Sequence, residues 1–325
     1  MHVYYKNTIQ KAPIFYDCIF DKCTKPTAMI CVNTKTVIET IDIANRLLDQ
    51  YPNIKQVIFD HSQDPIHNKE LSTKLDKWAT SKGVPNFLVT SAFKKTKSNE
   101  IIFPIWFFAF KNQSLPGLTL GTKKYQYSCL NRNPNMHRLL LYTLLKKHNL
   151  IKDMIYTFYG KDPYNNNAIF PELLQKDFQH YMHQARLNIE DFPIYWNEND
   201  AHGKNDHTIS HEAFIHAECN IVTESTVSVE FTSEKLWKPI AAGQFFHVVG
   251  SAGTNAWLKT FGFETFDKTY DLTKCSIQRI EQVVNQLSEN MFTDENMEKV
   301  IHNYHLFHSN AFENTIVDSI NTIAQ

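Results

Sequence analysis

A chain of 325 residues is long enough for two domains. Its 42% hydrophobic and 13% aromatic content fits a packed globular protein and excludes a disordered or fibrous one. The net charge of −1 argues against a generic nucleic-acid binder, and nine glycines leave no G-x-G-x-x-G and no Walker loop.

In chain order, residues 37–50 (VIETIDIANRLLDQ) carry apolar side chains at helical spacing and predict an amphipathic helix, stopped by Pro52. Residues 54–60 (IKQVIFD) predict a strand with Asp60 at its end, and His61 to Asp64 form a polar loop closed by Pro65. A helix over 68–81 ends before Gly83, and 84–90 predict the next strand. This alternation predicts a parallel sheet flanked by helices, with ligands beyond the carboxyl ends of the strands. The 60–64 and 91–97 loops occupy such positions. Residues 112–122, with Pro116, Gly117 and Gly121, are the expected linker. A second alternation follows: strand 125–130, helix 138–149, strand 151–159, polar turn 160–167 and helix 171–184. Residues 197–206 are a polar loop, and 207–217 fit a short helix or a strand. Strand 219–223 leads into 224–250, where helix 235–242 is stopped by Gly243 and 245–249 form a buried strand. Residues 276–289 and 294–325 read as helices that could pack across both domains. The expected domains are 1–120 and 121–325, the second including the C-terminal helices.

Six cysteines without a C-x-x-C pair read as reduced thiols of a cytoplasmic protein. The first ten residues, MHVYYKNTIQ, lack the apolar core of a signal peptide, and no apolar run approaches a membrane span. Charge is divided unevenly. Residues 1–160 hold 22 Lys and Arg against 11 Asp and Glu, whereas 161–325 hold 11 against 23. Residues 94–152 carry eleven basic side chains and one acid, Glu100. That imbalance suggests a polyanion or a nucleotide diphosphate near the first half; the alternative is a soluble basic face meeting the acidic half.

The run Ser233-Glu234-Lys235 followed by Pro239-Ile240-Ala241-Ala242-Gly243 resembles the donor-binding signature of the alpha-1,3-fucosyltransferase family, in which a Thr-Glu-Lys opens a helix; here Ser replaces Thr. Asn133-Pro134-Asn135-Met136-His137-Arg138, with the leucines after it, is similar to the segment where that family places an Arg on the donor diphosphate. The resemblance covers about residues 127–266 and is local. The stretch from Gly253-Thr254 to Phe266 also looks like glycosyltransferase-like proteins of bacteriophages. The resemblance implies an α/β fold of GT-B type, two facing Rossmann-like domains with C-terminal helices. It also implies a nucleotide-sugar donor held by Arg138, Glu234 and Lys235.

From the residues themselves, a helix N-terminus near Ser233 beside a lysine suits a phosphate, and Glu234 suits a sugar hydroxyl. Arg132 and Lys238 are second-choice cations, each equally readable as a surface charge. Glu224 and Ser225 could reach ribose or sugar hydroxyls, or cap a loop. No D-x-D occurs in the sequence, which favours charge neutralisation by the protein's own cations over a metal, with no cofactor beyond the co-substrate. An acceptor base is expected from the first domain: Asp60, then Asp64, then Glu100. His202, His207, His211 and His216, and the trio His302, His305 and His308, lack the H-E-x-x-H pattern and read as polar helical faces.

The leading expectation is a metal-independent, inverting glycosyltransferase with no membrane partner. The basic first half favours double-stranded DNA with a hydroxylated base as acceptor, flipped from the stack with help from Phe93 or the aromatics Trp106, Phe107 and Phe108. The alternatives are a glycan or lipid-linked acceptor, and a non-catalytic nucleic-acid-binding protein on a transferase fold.

Overall fold

The computed structural model describes residues 2–5, 9–10, 16–21, 23–32, 36–62, 69–92, 97–111, 113, 117–132, 135–158, 180, 183, 191, 194, 212–227, 230–266, 276–287 and 289–319. The chain forms two α/β units: 1–109 with 310–325, and 110–309.

The first unit is built on a six-stranded sheet in the order β2-β1-β3-β4-β5-β6. Its strands are β1 (His2–Tyr5), β2 (Ile9–Gln10), β3 (Thr27–Cys31), β4 (Gln56–His61), β5 (Asn86–Thr90) and β6 (Glu100–Ile102). All pairings are parallel except β1 with β2. The helices are α1 (Asp17–Phe20), α2 (Val37–Gln50), α3 (Lys69–Lys82) and α4 (Ile105–Lys111), the last ending in the second unit. Helix α2 begins at a reciprocal capping box between Thr36 and Glu39. Ile43, Ala44 and Leu47 of α2 and Leu75, Trp78 and Ala79 of α3 pack on Ala28, Ile30, Val57 and Phe59 of the sheet. Trp106, Phe107 and Phe108 are buried; Phe108 stacks on Phe103 at 4.7 Å. They are core aromatics here, and Phe93 lies outside the described residues.

The second unit holds a four-stranded parallel sheet in the order β10-β9-β7-β8. Its strands are β7 (Tyr125–Asn131), β8 (Met154–Phe158), β9 (Ala217–Thr223) and β10 (Phe245–Val249). Strand β9 is buried along its whole length, as a strand covered on both faces must be. The helices are α5 (Met136–Lys147), α6 (Glu212–His216), α7 (Glu234–Ala241), α8 (Thr254–Thr260), α9 (Ser276–Leu287) and α10 (Asp294–His308). A last helix, α11 (Ala311–Ser319), belongs to the first unit. Helix α9 packs on α5, and α10 on α7. Trp237 of α7, fully buried, meets Trp257, Phe263 and Phe307 edge-on or tilted. Helix α7 is short because Pro239 cannot donate within it and a Schellman turn follows. Gly243 (φ +62°) donates to Ile240 O, and Gln244 donates to Pro239 O. A Cβ at 243 would also crowd the Leu118 side chain and the Tyr304 ring, which would have to give way.

The expected strand 84–90 and helix 68–81 appear as β5 and α3, and 245–249 as β10. The two compact units divide between 109 and 110, and 310–325 group with the first. The readings over 160–167, 171–184 and 197–206 fall almost wholly outside the described residues. Among the described residues no helix is long and apolar enough to cross a membrane.

Candidate functional site

Strand β7 leads through α5 to β8 on one side of it, whereas β9 leads through α7 to β10 on the other. The winding direction therefore reverses between β7 and β9. In open α/β sheets a crevice opens at the carboxyl ends of such strands. Side chains lock that edge. Asn131 Oδ1 accepts Thr223 Oγ1 at 2.6 Å, and Asn131 N donates to Thr157 Oγ1 at 3.1 Å, tying the ends of β7, β8 and β9 together.

The N-terminus of α5 holds the exit of β9. Asn135 Nδ2 donates to Ser225 O at 2.6 Å. Arg138 Nη2 donates to Thr223 O at 3.0 Å and to Glu224 O at 3.2 Å. Arg138 is only 1% exposed, and burial lowers its pKa. Burial, then Arg138, pushes the His137 imidazole down to about 3, so it is neutral. Its Nε2, 2.8 Å from Glu224 O, must carry the proton it donates.

The N-terminus of α7 is the second component. Ser233 is its N-cap, and Ser233 Oγ accepts Lys235 N–H at 3.3 Å. Lys235 pairs with Glu234; their side chains are 24% and 15% exposed. Burial pushes the Glu234 carboxyl up, but Lys235, its hydrogen bond and Lys238 outweigh it, and the net shift is downward. Glu224 is fully buried, and burial raises its pKa against the opposing pull of Lys235 and Ser233.

The structure thus brings Arg138, Glu224, Ser225, Glu234 and Lys235 to one edge. Arg132 is exposed in the turn after β7. Lys238 is 7% exposed, its ammonium 5.7 Å from the Phe110 ring and 5.8 Å from that of Phe214. In the first unit Asp60, the penultimate residue of β4, is fully buried; it accepts the Tyr16 hydroxyl, Ser62 N–H at 2.9 Å and Ser62 Oγ–H at 2.6 Å. Glu100 is 1% exposed and accepts Lys97 N–H at 3.2 Å. Asp64 lies outside the described residues, as do His202, His207 and His211. His302 and His308 bond the carbonyls of Gly262 and Ala241, at 2.8 and 3.1 Å. Both carbonyls lie at or just past a helix C-terminus, where acceptors go unused within the helix. Among the described residues no cluster of three His, Cys, Asp or Glu could hold a metal.

One cation at this edge escaped the sequence reading. Arg279, in the first turn of α9, donates through Nη2 to Gly250 O at 3.3 Å, at the carboxyl end of β10. No motif surrounds it; only the sheet topology places it there.

No protein-family model matches the chain, and no curated protein matches it. Among solved structures, the chain is similar to the pneumococcal O-GlcNAc transferase GtfA in complex with UDP and GlcNAc. The identity is 11% and the TM-score 0.47, over 97% of this chain and 62% of that one. It is similar to a GtfA/B complex at 12% identity and TM-score 0.35, over 95% and 55%. It is also similar to alpha1,3-fucosyltransferase with GDP-fucose at 10% identity and TM-score 0.35, over 90% and 78%. The chain therefore spans 55% and 62% of the length of the two GtfA-containing structures.

Proposed function

We propose that the chain is a glycosyltransferase moving a sugar from a nucleotide-sugar donor to an acceptor hydroxyl, inverting and independent of metal. The observation that carries the reading is the placement of Glu234 and Lys235 on the first turn of α7, beside the crevice where the winding reverses. A helix N-terminus offers oriented N–H dipoles to a phosphate, and Lys235 adds a compact positive charge. Together they offset the charge that builds on a leaving diphosphate. Glu234, its carboxylate stabilised by Lys235, suits a sugar or ribose hydroxyl.

Arg138 is assigned a supporting part in this site, because it is buried and its Nη2 donates to the carbonyls of Thr223 and Glu224. The acceptor base is proposed on the 60–64 loop. Asp60, within β4, already accepts three hydrogen bonds from Tyr16 and Ser62, which leaves Asp64 as the alternative.

The acceptor proposed first is a hydroxylated base in double-stranded DNA, on the strength of the basic 94–152 segment. Pairing of Lys97 with Asp76 and of Lys146 with Asp191 removes part of that charge, which is the observation in favour of a glycan acceptor.

A thermal-shift screen of the whole chain against GDP, UDP, ADP and CMP, with and without EDTA, tests the donor. The expected result is a shift with one nucleotide that EDTA leaves unchanged and Lys235→Ala removes, by mass action on the native state. Turnover of the matching nucleotide-sugar should fall roughly tenfold or more in Lys235→Ala. No shift with any nucleotide overturns the proposal.

A further inference from the structure

Glu224 is the first residue beyond β9 and has no solvent exposure. Its side chain lies against Gly250, where a Cβ would come within 3.1 Å of Glu224 Cγ. Both carboxylate oxygens are committed to one residue nine positions on: Oε1 accepts Ser233 N–H at 3.0 Å and Oε2 accepts Ser233 Oγ–H at 2.5 Å. Ser233 Oγ in turn accepts Lys235 N–H at 3.3 Å, and Lys235 Nζ approaches it at 3.5 Å.

The backbone beneath this carboxylate is fixed from two sides. Glu224 N–H donates to Val249 O at 3.0 Å, joining the ends of β9 and β10. Glu224 O accepts His137 Nε2 and Arg138 Nη2 from α5. A continuous set of contacts thus runs from the strand ends through Glu224 and Ser233 to Lys235. With no solvent exposure and a bond from Ser233 on each oxygen, this carboxylate faces the helix cap and not open solvent.

We infer that Glu224 is a positioning residue: acting through Ser233, it holds the first turn of α7 and Lys235 where they meet the diphosphate of a nucleotide, without touching the ligand itself. The inference rests on the donor-site reading above. It concerns the phosphate end alone, because α7 and Lys235 are the groups that the clamp holds. A general structural role would weaken every ligand alike.

The test uses the whole chain and four probes, GDP, UDP, guanosine and uridine at up to millimolar concentration. Glu224→Ala and Ser233→Ala should each weaken the bound diphosphate by about five- to tenfold, the size of a lost helix cap. Neither should move the affinity for the matching nucleoside by more than about twofold on the same scale. Ser233→Thr, which keeps the hydroxyl, should recover most of the loss. If Glu224→Ala does not fold, Ser233→Ala carries the measurement, since it leaves the carboxylate bonded to the Ser233 N–H. Equal loss for diphosphate and nucleoside, or no loss for the diphosphate, overturns the inference while the donor site stands. A wild-type chain that binds none of GDP, UDP, ADP and CMP removes the donor site, and the inference falls with it.

Discussion

A guanidinium that is 1% exposed must be held by acceptors that the fold supplies, and Arg138 finds them in the carbonyls at the end of β9. Its truncation would leave a cavity beneath the β9 exit and strip charge-assisted bonds from two carbonyls. Arg138→Ala should therefore cost about 2–4 kcal/mol of stability, read from urea unfolding. Arg138→Lys should recover little, because both acceptors are met by Nη2 at the far end of the guanidinium, a position that the shorter lysine side chain does not reach. Unchanged stability with lost turnover would instead make Arg138 a ligand contact. Its position was legible in the sequence through the motif at 133–138, but its burial was not. Residues 136–145 are buried all round, so the helix has no polar stripe to mark which way the guanidinium turns. Glu224 is named from the sequence because it stands shortly before the Ser233-Glu234-Lys235 run. Its bond to Ser233 depends on how the intervening turn closes, which periodicity does not record.

Elements were legible where the period was long and the ends were marked. Helix α2 shows an amphipathic pattern and a capping box, and β10 a five-residue apolar run with glycine beside it. Strand β3 was missed: its five residues, TAMIC, form a short buried run behind Pro26 with no alternation to separate it from a loop. Helix α3 shows what joins such elements. Asp76 accepts Lys97 Nζ at 2.6 Å, Asn86 Nδ2 at 3.0 Å and Asn99 Nδ2 at 3.1 Å, so one carboxylate ties α3 to the start of β5 and the approach to β6. Burial pushes this carboxyl up, but the bonds from Asn86, Lys97 and Asn99 outweigh it and its pKa lies below the ordinary 3.8. The unfolded state then binds the proton more tightly than the folded state. The contribution is fully present above the unfolded value and is lost as pH falls through the folded one. Asp76→Asn should lower stability by about 1 kcal/mol at pH 7, given partial solvent screening. The gap from wild type should close as the pH is taken well below 4, a trend that melting temperatures over pH 2–7 would follow. A gap that stays constant across that range would assign the effect to packing.

At the scale of the whole chain, the C-terminal helices looked from the sequence like one block over 294–325, because their apolar residues recur at helical spacing throughout. The break comes at Ser309, where the backbone leaves the helical region (ψ 170°) and α10 ends. Helix α10 stays with the second unit through Trp237 and Phe307, whereas α11 belongs to the first. The residue that decides this is Phe312, 1% exposed, whose ring meets Phe107 edge-on at 4.5 Å. Hydrophobic periodicity identifies a face that must be covered but not which sheet covers it, so the assignment needed the fold. The first unit is consequently closed by a segment made about 200 residues after the chain leaves it at Ala109. Phe312→Ala should cost about 3–5 kcal/mol, the range for emptying a buried aromatic site. The loss should be local. Amide protection should fall across β3, β4, β5 and α4 of the first unit and persist in β9 and β10 of the second. A thermal shift with the cognate nucleotide should survive in this variant, because every residue assigned to the donor site belongs to the second unit. Uniform loss of protection across both units would show instead that the chain unfolds as one cooperative body.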